Sequence, residues 1–386
     1  MPEKILHCNF VNMKKLLIGI YFLLFSGILL AQNPELSTNP WLQTGQLYFG
    51  QKNYTLALNA FNQYLKKDPL DWEGLYWRGM VLSKMGRFNE AFSNLELAHK
   101  LNPKSAHAMN ALGSMFDYFG EYDKALMLLD KAVGIEPDNT TFLNNRGMVL
   151  LHLEKFNAAF LDFDHIIRLD STDATAFNNR GTARFNNQSL DNPSVEDLQK
   201  AAQDFSKAIV LNPQFSMAYR NRGVVYMHLN ELTTAYQDLL VAKKLEPTDD
   251  RVYFNLGKVY SRIQKYDLAI ESFNEALKIA NYYAETYMER GLTHLLMKNY
   301  ESAKIDFNKA ITVDGEKKPR CLYYLAKTTA LQNNFEQTKI YLKQAKKAGF
   351  FKTFNNRNEF ITDTAFDELE KNPEFMKVRN EVLKIK

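Results

Sequence analysis

Arginine and aspartate recur at matched positions along this chain of 386 residues, and their pairing is the clearest chemical signal in the sequence. Five arginines stand directly before a glycine, and four of them are followed by an aspartate 16 or 24 residues later. The predicted pairs are Arg146 with Asp162, Arg180 with Asp204, Arg222 with Asp238 and Arg290 with Asp306, while Arg78 is matched by Asn94. A single pair of this kind would suit acid–base chemistry. Four copies in register indicate structural ion pairs instead, because a buried arginine needs a partner.

Other residues that could catalyse a reaction or hold a metal are scattered. The seven histidines form no His-Glu-x-x-His motif and no pair four residues apart. Two cysteines, Cys8 and Cys321, are too few for a disulfide framework or a four-thiolate metal site. The sequence therefore predicts a protein that is not an enzyme and has no metal or other cofactor.

Regularly spaced glycines show which elements must position these residues. They recur every 34 residues, and the series resumes after eight inserted residues; its members are Gly45, Gly79, Gly113, Gly147, Gly181, Gly223, Gly257 and Gly291. An alanine stands twelve residues after each uninterrupted glycine, with a large apolar residue four further on. Small residues allow two helices to approach closely, and apolar residues three and four apart give each helix one stripe to bury. The period therefore predicts repeated helical hairpins.

This pattern resembles the tetratricopeptide repeat (TPR), whose signature is W-x2-L-G-x2-Y, then A-x3-F, then P. The first unit matches it with Trp41, Gly45, Tyr48, Ala57, Phe61 and Pro69. The resemblance implies an all-α fold, a right-handed α-solenoid or superhelix of about nine TPR helical hairpins with a C-terminal capping helix. Hairpins of this kind are stabilised by stacking on their neighbours.

The repeat spacing also predicts how the chain is divided. The TPR array is expected over residues 38–351, with units that start near residues 38, 72, 106, 140, 174, 216, 250, 284 and 319. An insertion at about residues 187–194 lengthens the turn inside the fifth unit. Residues 352–386 are expected to form a capping segment, whose last helix begins at Pro373.

The first 31 residues have the order of a secretory signal peptide. Lys14 and Lys15 are followed by sixteen residues without a charge, which end at Ala31. This order predicts a start at Met13, cleavage after Ala31 and an exported bacterial protein that is periplasmic or secreted. The alternative is an N-terminal membrane anchor, although the apolar run is shorter than the ~20 residues that span a bilayer.

An asparagine row is predicted on the inner surface of the array. In TPR superhelices the first helix of each hairpin lines the concave groove, and motif position 6 points into it. Four consecutive units have asparagine there: Asn145, Asn179, Asn221 and Asn255. This row is similar to the asparagine ladder of the O-linked N-acetylglucosamine transferase superhelix, where amides hold an extended peptide; an amide both donates and accepts hydrogen bonds. The alternative is that these side chains bond to neighbouring backbone or water.

Two further groups fall at groove-facing positions. Arg251, Lys258 and Arg262 lie in one unit and would either attract an acidic ligand segment or form a solvated helix face. Tyr76 and Trp77 would form either an apolar anchor pocket or an intramolecular packing site. The 48 basic and 44 acidic residues are closely interleaved, so nucleic acid is not an expected partner.

The sequence as a whole predicts a non-catalytic protein–protein interaction scaffold. Its partner would be an extended peptide or protein segment bound in the concave groove, with membrane contact only if the leader is uncleaved. One alternative is a self-associating structural component of an envelope assembly that has no groove ligand. Another is the non-catalytic part of an enzyme system tethered near a membrane.

Overall fold

The computed structural model describes residues 40–187 and 194–384, and all regular structure in these two ranges is helical. The chain divides into two compact units between Leu153 and Glu154. The predicted leader, with its start at Met13, lies outside the described residues, as do residues 188–193 of the predicted insertion.

The first unit contains seven described helices. Their bounds are α1 Pro40–Gly50, α2 Tyr54–Lys67, α3 Trp72–Lys84, α4 Phe88–Leu101, α5 Ala106–Tyr118, α6 Tyr122–Ile135 and α7 Thr140–His152. Helices α1 and α2, α3 and α4, and α5 and α6 pack as hairpins, and each second helix also packs against the next first helix.

The second unit repeats the same arrangement and ends in shorter helices. Its first part is α8 Phe156–Leu169, α9 Ala174–Asn186, α10 Val195–Leu211, α11 Ser216–His228, α12 Leu232–Leu245, α13 Asp250–Arg262, α14 Tyr266–Ile279, α15 Ala284–Leu296 and α16 Tyr300–Val313. Its second part is α17 Lys318–Leu331, α18 Phe335–Ala348, α19 Phe354–Thr362, α20 Asp367–Glu370 and α21 Pro373–Leu383. The predicted all-α class, the helical hairpins and the terminal capping helix are confirmed.

Turns inside the hairpins use one residue in the left-handed region. Glycine occupies it at Gly86 and Gly120, with φ of 75° at both. Lys52 and Lys298 adopt φ of 58° and 60° at the equivalent place in other hairpins, where a side chain makes this conformation less favourable. The turn therefore depends on the packing of the two helices as well as on local preference.

Close approach of two helices explains the recurring glycine. A methyl group at Gly257 on α13 would lie 2.5 Å from the ring of Phe273 on α14. Phe273 and Ala269 are both fully buried, so the ring fills the space that the missing side chain leaves. The same contact joins Gly45 to Phe61 and Gly291 to Phe307.

The C-terminal segment contains more structure than the single helix that the sequence predicts. Helices α19 and α20 precede α21, and a core of aromatic side chains joins this segment to the last hairpin. The ring of Tyr323 on α17 stacks on Phe350 with 4.4 Å between centroids. The Tyr323 hydroxyl donates to Asp363 Oδ2 at 2.6 Å. The segment therefore covers the end of the last hairpin.

Candidate binding surface on the first helices

The asparagines of the predicted row connect neighbouring first helices. In the first unit, Asn145 Nδ2 donates to Asn110 Oδ1 at 2.9 Å and to Ser114 Oγ at 3.1 Å. In the second unit, Asn221 Nδ2 donates to Asn178 Oδ1 at 3.1 Å. The amide nitrogens of both residues are therefore used between hairpins, and their carbonyl oxygens still have lone pairs to accept further bonds.

The other two asparagines of the row are largely buried. Asn179 and Asn255 are each 8% exposed. Asn179 Oδ1 accepts a hydrogen bond from Asn178 Nδ2 at 3.1 Å. Asn255 lines a cleft on the surface of the first helices.

This cleft lies between α13 and α15 in the second unit and has a volume of ≈ 390 Å³. Its wall consists of Asp250, Arg251, Phe254, Asn255, Tyr283, Glu285 and Thr286. A hydrogen bond with Tyr283 raises the pKa of Arg251 above its ordinary value, so the guanidinium stays charged. Glu285 is already paired with Lys317 at 2.6 Å, which reduces the negative charge that this wall presents.

The three basic residues predicted on one unit lie along α13. Since an α-helix rises about 1.5 Å per residue, Lys258 lies ~10 Å along the axis from Arg251. The Lys258 ammonium is 5.4 Å from the centroid of the Phe254 ring. Arg262 Nη1 donates to the carbonyl oxygen of Met227 at 2.8 Å, so it links α13 to α11.

Burial lowers the pKa of His228 on α11, and the nearby Lys258 and Arg262 lower it further. The imidazole is therefore biased towards its neutral form, and the basic character of this surface comes from Arg251, Lys258 and Arg262.

The predicted aromatic pair packs within the first unit. The ring of Trp77 stacks on Phe61 with centroids 6.1 Å apart and meets Phe49 edge-on at 5.5 Å. Tyr76 contacts Trp77 at 5.3 Å, and its burial raises its pKa. The described contacts of Trp77 are thus those of an intramolecular packing site.

Arg180 and Arg222, two arginines of the repeated pairs, each reach two other helices. Arg180 Nε and Nη2 donate to Asp204 at 3.2 and 2.6 Å, while Nη1 donates to Asp164 of the preceding second helix at 2.7 Å. Arg222 bonds both carboxylate oxygens of Asp238 at 2.7 Å and Ser206 Oγ at 2.9 Å. Each guanidinium therefore links one first helix to the second helices of its own and the preceding hairpin.

The other two arginines, Arg290 and Arg146, also bond a residue of the preceding second helix. Arg290 bonds Asp306 at 2.9 and 2.6 Å and Asn274 Oδ1 at 2.6 Å. Arg146 Nη1 bonds Asp130 at 3.1 Å. Arg146 and Asp162 belong to different compact units, so their pairing remains a prediction.

Several of these residues could not be predicted from the sequence, for identifiable reasons. The partner on the preceding second helix stands 16 residues before the arginine in each described case. The residue type at this position differs from hairpin to hairpin, so the spacing alone did not reveal the contact. Arg184 Nη1 also donates to Asp204, at 2.8 Å, and has no counterpart in the repeat pattern. Phe254, Tyr283 and Thr286 of the cleft come from two hairpins, and only packing brings them together.

In the described part of the chain, the residues that could act as a nucleophile or as metal ligands are buried or do not form a cluster. Cys321 is fully buried, and burial raises its pKa to about 12, so its thiol is neutral and enclosed. Across residues 40–187 and 194–384, no group of three His, Cys, Asp or Glu residues could hold a metal ion. Nor does this part of the chain contain a helix long and apolar enough to cross a membrane.

Family models for tetratricopeptide repeats match three regions of the chain. The model for the N-terminal TPR region of Psidin matches residues 48–159, a second TPR model matches residues 194–250, and a third matches residues 250–283 and 284–317. No curated protein sequence matches the chain.

The solved structures to which the chain is similar are distant from it in sequence. A tetratricopeptide repeat protein from Parabacteroides merdae has 20% identity and a TM-score of 0.52, over 63% of this chain and 93% of that one. A thermophilic TPR protein from Thermus thermophilus has 22% identity and a TM-score of 0.44, over 50% and 100%. YrrB, described as a TPR protein with an unusual peptide-binding site, has 21% identity and a TM-score of 0.40, over 50% and 95%.

Proposed function

Because the chain belongs to the tetratricopeptide-repeat family, whose fold indicates a protein-interaction scaffold, we propose that it binds an extended segment of a partner protein without catalysing a reaction. The observation that supports this most directly is the cleft between α13 and α15. It opens on the first-helix surface and contains Arg251 and Asn255, two residues at predicted ligand-binding positions.

The wall of this cleft combines groups suited to a peptide. Phe254 and Tyr283 offer aromatic surface to an apolar side chain, and Arg251 offers a cation to a neighbouring carboxylate. Asn255 and the largely buried Thr286 can bond to main-chain amides. An apolar residue beside an acidic one is therefore the segment that we expect the cleft to anchor, with Lys258 extending the basic surface along α13.

The asparagine row contributes a second set of contacts to this proposal. Asn221, in the same unit as the cleft, keeps acceptor capacity on its side-chain oxygen, which can receive a main-chain N–H group of an extended strand. Such contacts tolerate many ligand sequences, so the cleft would supply the selectivity.

Replacing Arg251 in the cleft is expected to weaken peptide binding. A displayed library of random dodecapeptides would be selected against the wild-type protein, and the enriched peptides measured by calorimetry with Arg251→Ala. Loss of one charge-assisted hydrogen bond is worth about 1.5–3 kcal/mol, which corresponds to a roughly 10- to 150-fold weaker Kd.

Ile305→Ala is the matched control, because Ile305 lies on a second helix, α16, and is 69% exposed. It should leave the Kd unchanged. Enriched peptides that bind both variants equally well would place the ligand elsewhere and remove the support for this cleft.

Self-association through the end hairpins is the alternative function, and it is less favoured at the C-terminal end. The last hairpin already packs against its own chain through Tyr323, Phe350 and Phe366. A partner copy would have to displace this segment.

We also propose that residues 1–31 direct export and are removed. When the full chain is expressed in a bacterial host, the mature protein is expected to begin at Gln32, as the predicted cleavage after Ala31 requires. Mass spectrometry of the N-terminal peptide checks this prediction. An intact leader in a membrane fraction would support the anchored alternative instead.

A further inference from the structure

The second hairpin contains an arginine site that differs from its counterparts in one respect. In the sixth and eighth hairpins, Arg222 and Arg290 place Nε and Nη2 on the two oxygens of an aspartate. At Arg78, which has the same place in its hairpin, asparagine replaces that aspartate. Comparison with Arg222 and Arg290 therefore shows that Arg78 lacks the carboxylate that those two arginines bond.

Asn94 cannot reproduce the two-point contact. Its Oδ1 accepts from Arg78 Nε at 2.7 Å, but its Nδ2 donates to the carbonyl oxygen of Glu90 at 2.7 Å. An amide nitrogen has no acceptor capacity for the second guanidinium edge. On the other side, Arg78 Nη1 lies 3.4 Å from Asn62 Oδ1, which is also uncharged.

The carboxylate of Glu90, which lines the same site, is committed to another arginine. Glu90 Oε1 and Oε2 accept from Arg87 Nε and Nη2 at 2.7 and 2.6 Å. This exposed pair closes one side of the site. Arg78 and Arg87 thus bring two positive charges to the site, and Glu90 brings one negative charge.

A cavity of ≈ 280 Å³ lies against these groups. Asn62, Arg78, Arg87, Glu90 and Asn94 provide its polar wall. Burial lowers the pKa of Arg78, whereas the hydrogen bond to Asp238 raises the pKa of Arg222. The difference agrees with a guanidinium that is partly desolvated and lacks its carboxylate.

We propose that this cavity binds a carboxylate from outside the chain, an aspartate or glutamate side chain of a partner protein, on the guanidinium of Arg78. Planar guanidinium groups hold carboxylates through two parallel hydrogen bonds, and the sixth and eighth hairpins contain this pair already formed. The site is separate from the cleft between α13 and α15, so it does not depend on the function proposed for that cleft.

The test uses acetate as the probe and the Nε–H signal of Arg78 in ¹H–¹⁵N NMR spectra as the readout, at constant ionic strength. The full chain is titrated with acetate and, separately, with inorganic phosphate. We expect a saturable shift of the Arg78 signal with acetate. A response to phosphate alone would overturn the assignment to a carboxylate.

Two substitutions make the test specific. Asn94→Asp restores the internal carboxylate, so it should weaken the acetate response roughly tenfold or more, as expected when a competing charged partner already occupies the guanidinium. Asp238→Asn should create the same response at Arg222. Wild-type and Asn94→Asp proteins that titrate identically would overturn the proposal even if Asp238→Asn fails to fold.

Discussion

Ending the chain after Gly349 is expected to lower the midpoint of thermal unfolding markedly and to make the protein self-associate. This truncation removes Phe350, Phe360, Phe366 and Phe375, all of which are almost fully buried, and it uncovers Tyr323. Burying one large apolar side chain contributes about 1.5–3 kcal/mol, so the loss of several such contacts is large compared with the stability of one hairpin.

Polar contacts add to the effect of this truncation. Asp363 accepts from the Tyr323 hydroxyl at 2.6 Å and pairs with Lys327 at 2.9 Å. Arg320 bonds Glu359 at 2.5 Å. Without these carboxylates, α17 would expose an aromatic and basic surface that normally lies under the C-terminal segment.

Thermal unfolding and light scattering after gel filtration measure the two consequences. A chain ended after Leu383 is the control, because it loses only three residues and keeps α21 complete. It should unfold and elute like the full chain. If the chain that ends at Gly349 behaves like this control, the C-terminal segment does not cap the array.

The hairpins could be predicted from the sequence because each one repeats the same packing problem. A residue such as Gly257 must be small wherever a ring such as Phe273 fills the space between two helices, and 34-residue spacing makes that requirement visible. The C-terminal helices α19 and α20 have no second copy to compare. Their place depends on contacts between distant residues, such as Tyr323 with Asp363, which no local pattern records.

The candidate site was predictable in part for a related reason. Positions that face a neighbouring hairpin are fixed by helical periodicity, so the row from Asn145 to Asn255 could be found. Whether each amide points to a ligand or to the next helix depends on the spacing between hairpins. The bond from Asn221 to Asn178 and the burial of Asn255 are results of that spacing.

Replacing Asp204 with alanine is expected to destabilise the second unit by about 3–5 kcal/mol, because it removes one partner of a buried ion pair. Asp204 is 4% exposed and accepts from both Arg180 and Arg184. Its loss would leave two guanidinium groups in a site where the ring centroids of Phe160 and Phe177 lie 4.9–5.9 Å from them. Arg180 would keep Asp164 at 2.7 Å, which limits the loss.

A double-mutant cycle, measured by urea unfolding, isolates the coupling free energy between Arg180 and Asp204 from the rest of the site. Arg180→Met, Asp204→Ala and the double variant should show a coupling free energy well above that of an exposed pair.

Lys200 and Glu196 provide the matched control, since they form an i, i+4 ion pair on the same helix, α10, and their side chains are 46% and 74% exposed. Their cycle should give a much smaller coupling free energy, because solvent screens an exposed pair. Equal coupling energies in the two cycles would show that burial adds nothing to the Arg180–Asp204 pair. A large coupling would mean that this ion pair helps to hold α9 and α10 together, in an array where each hairpin is also stabilised by its neighbours.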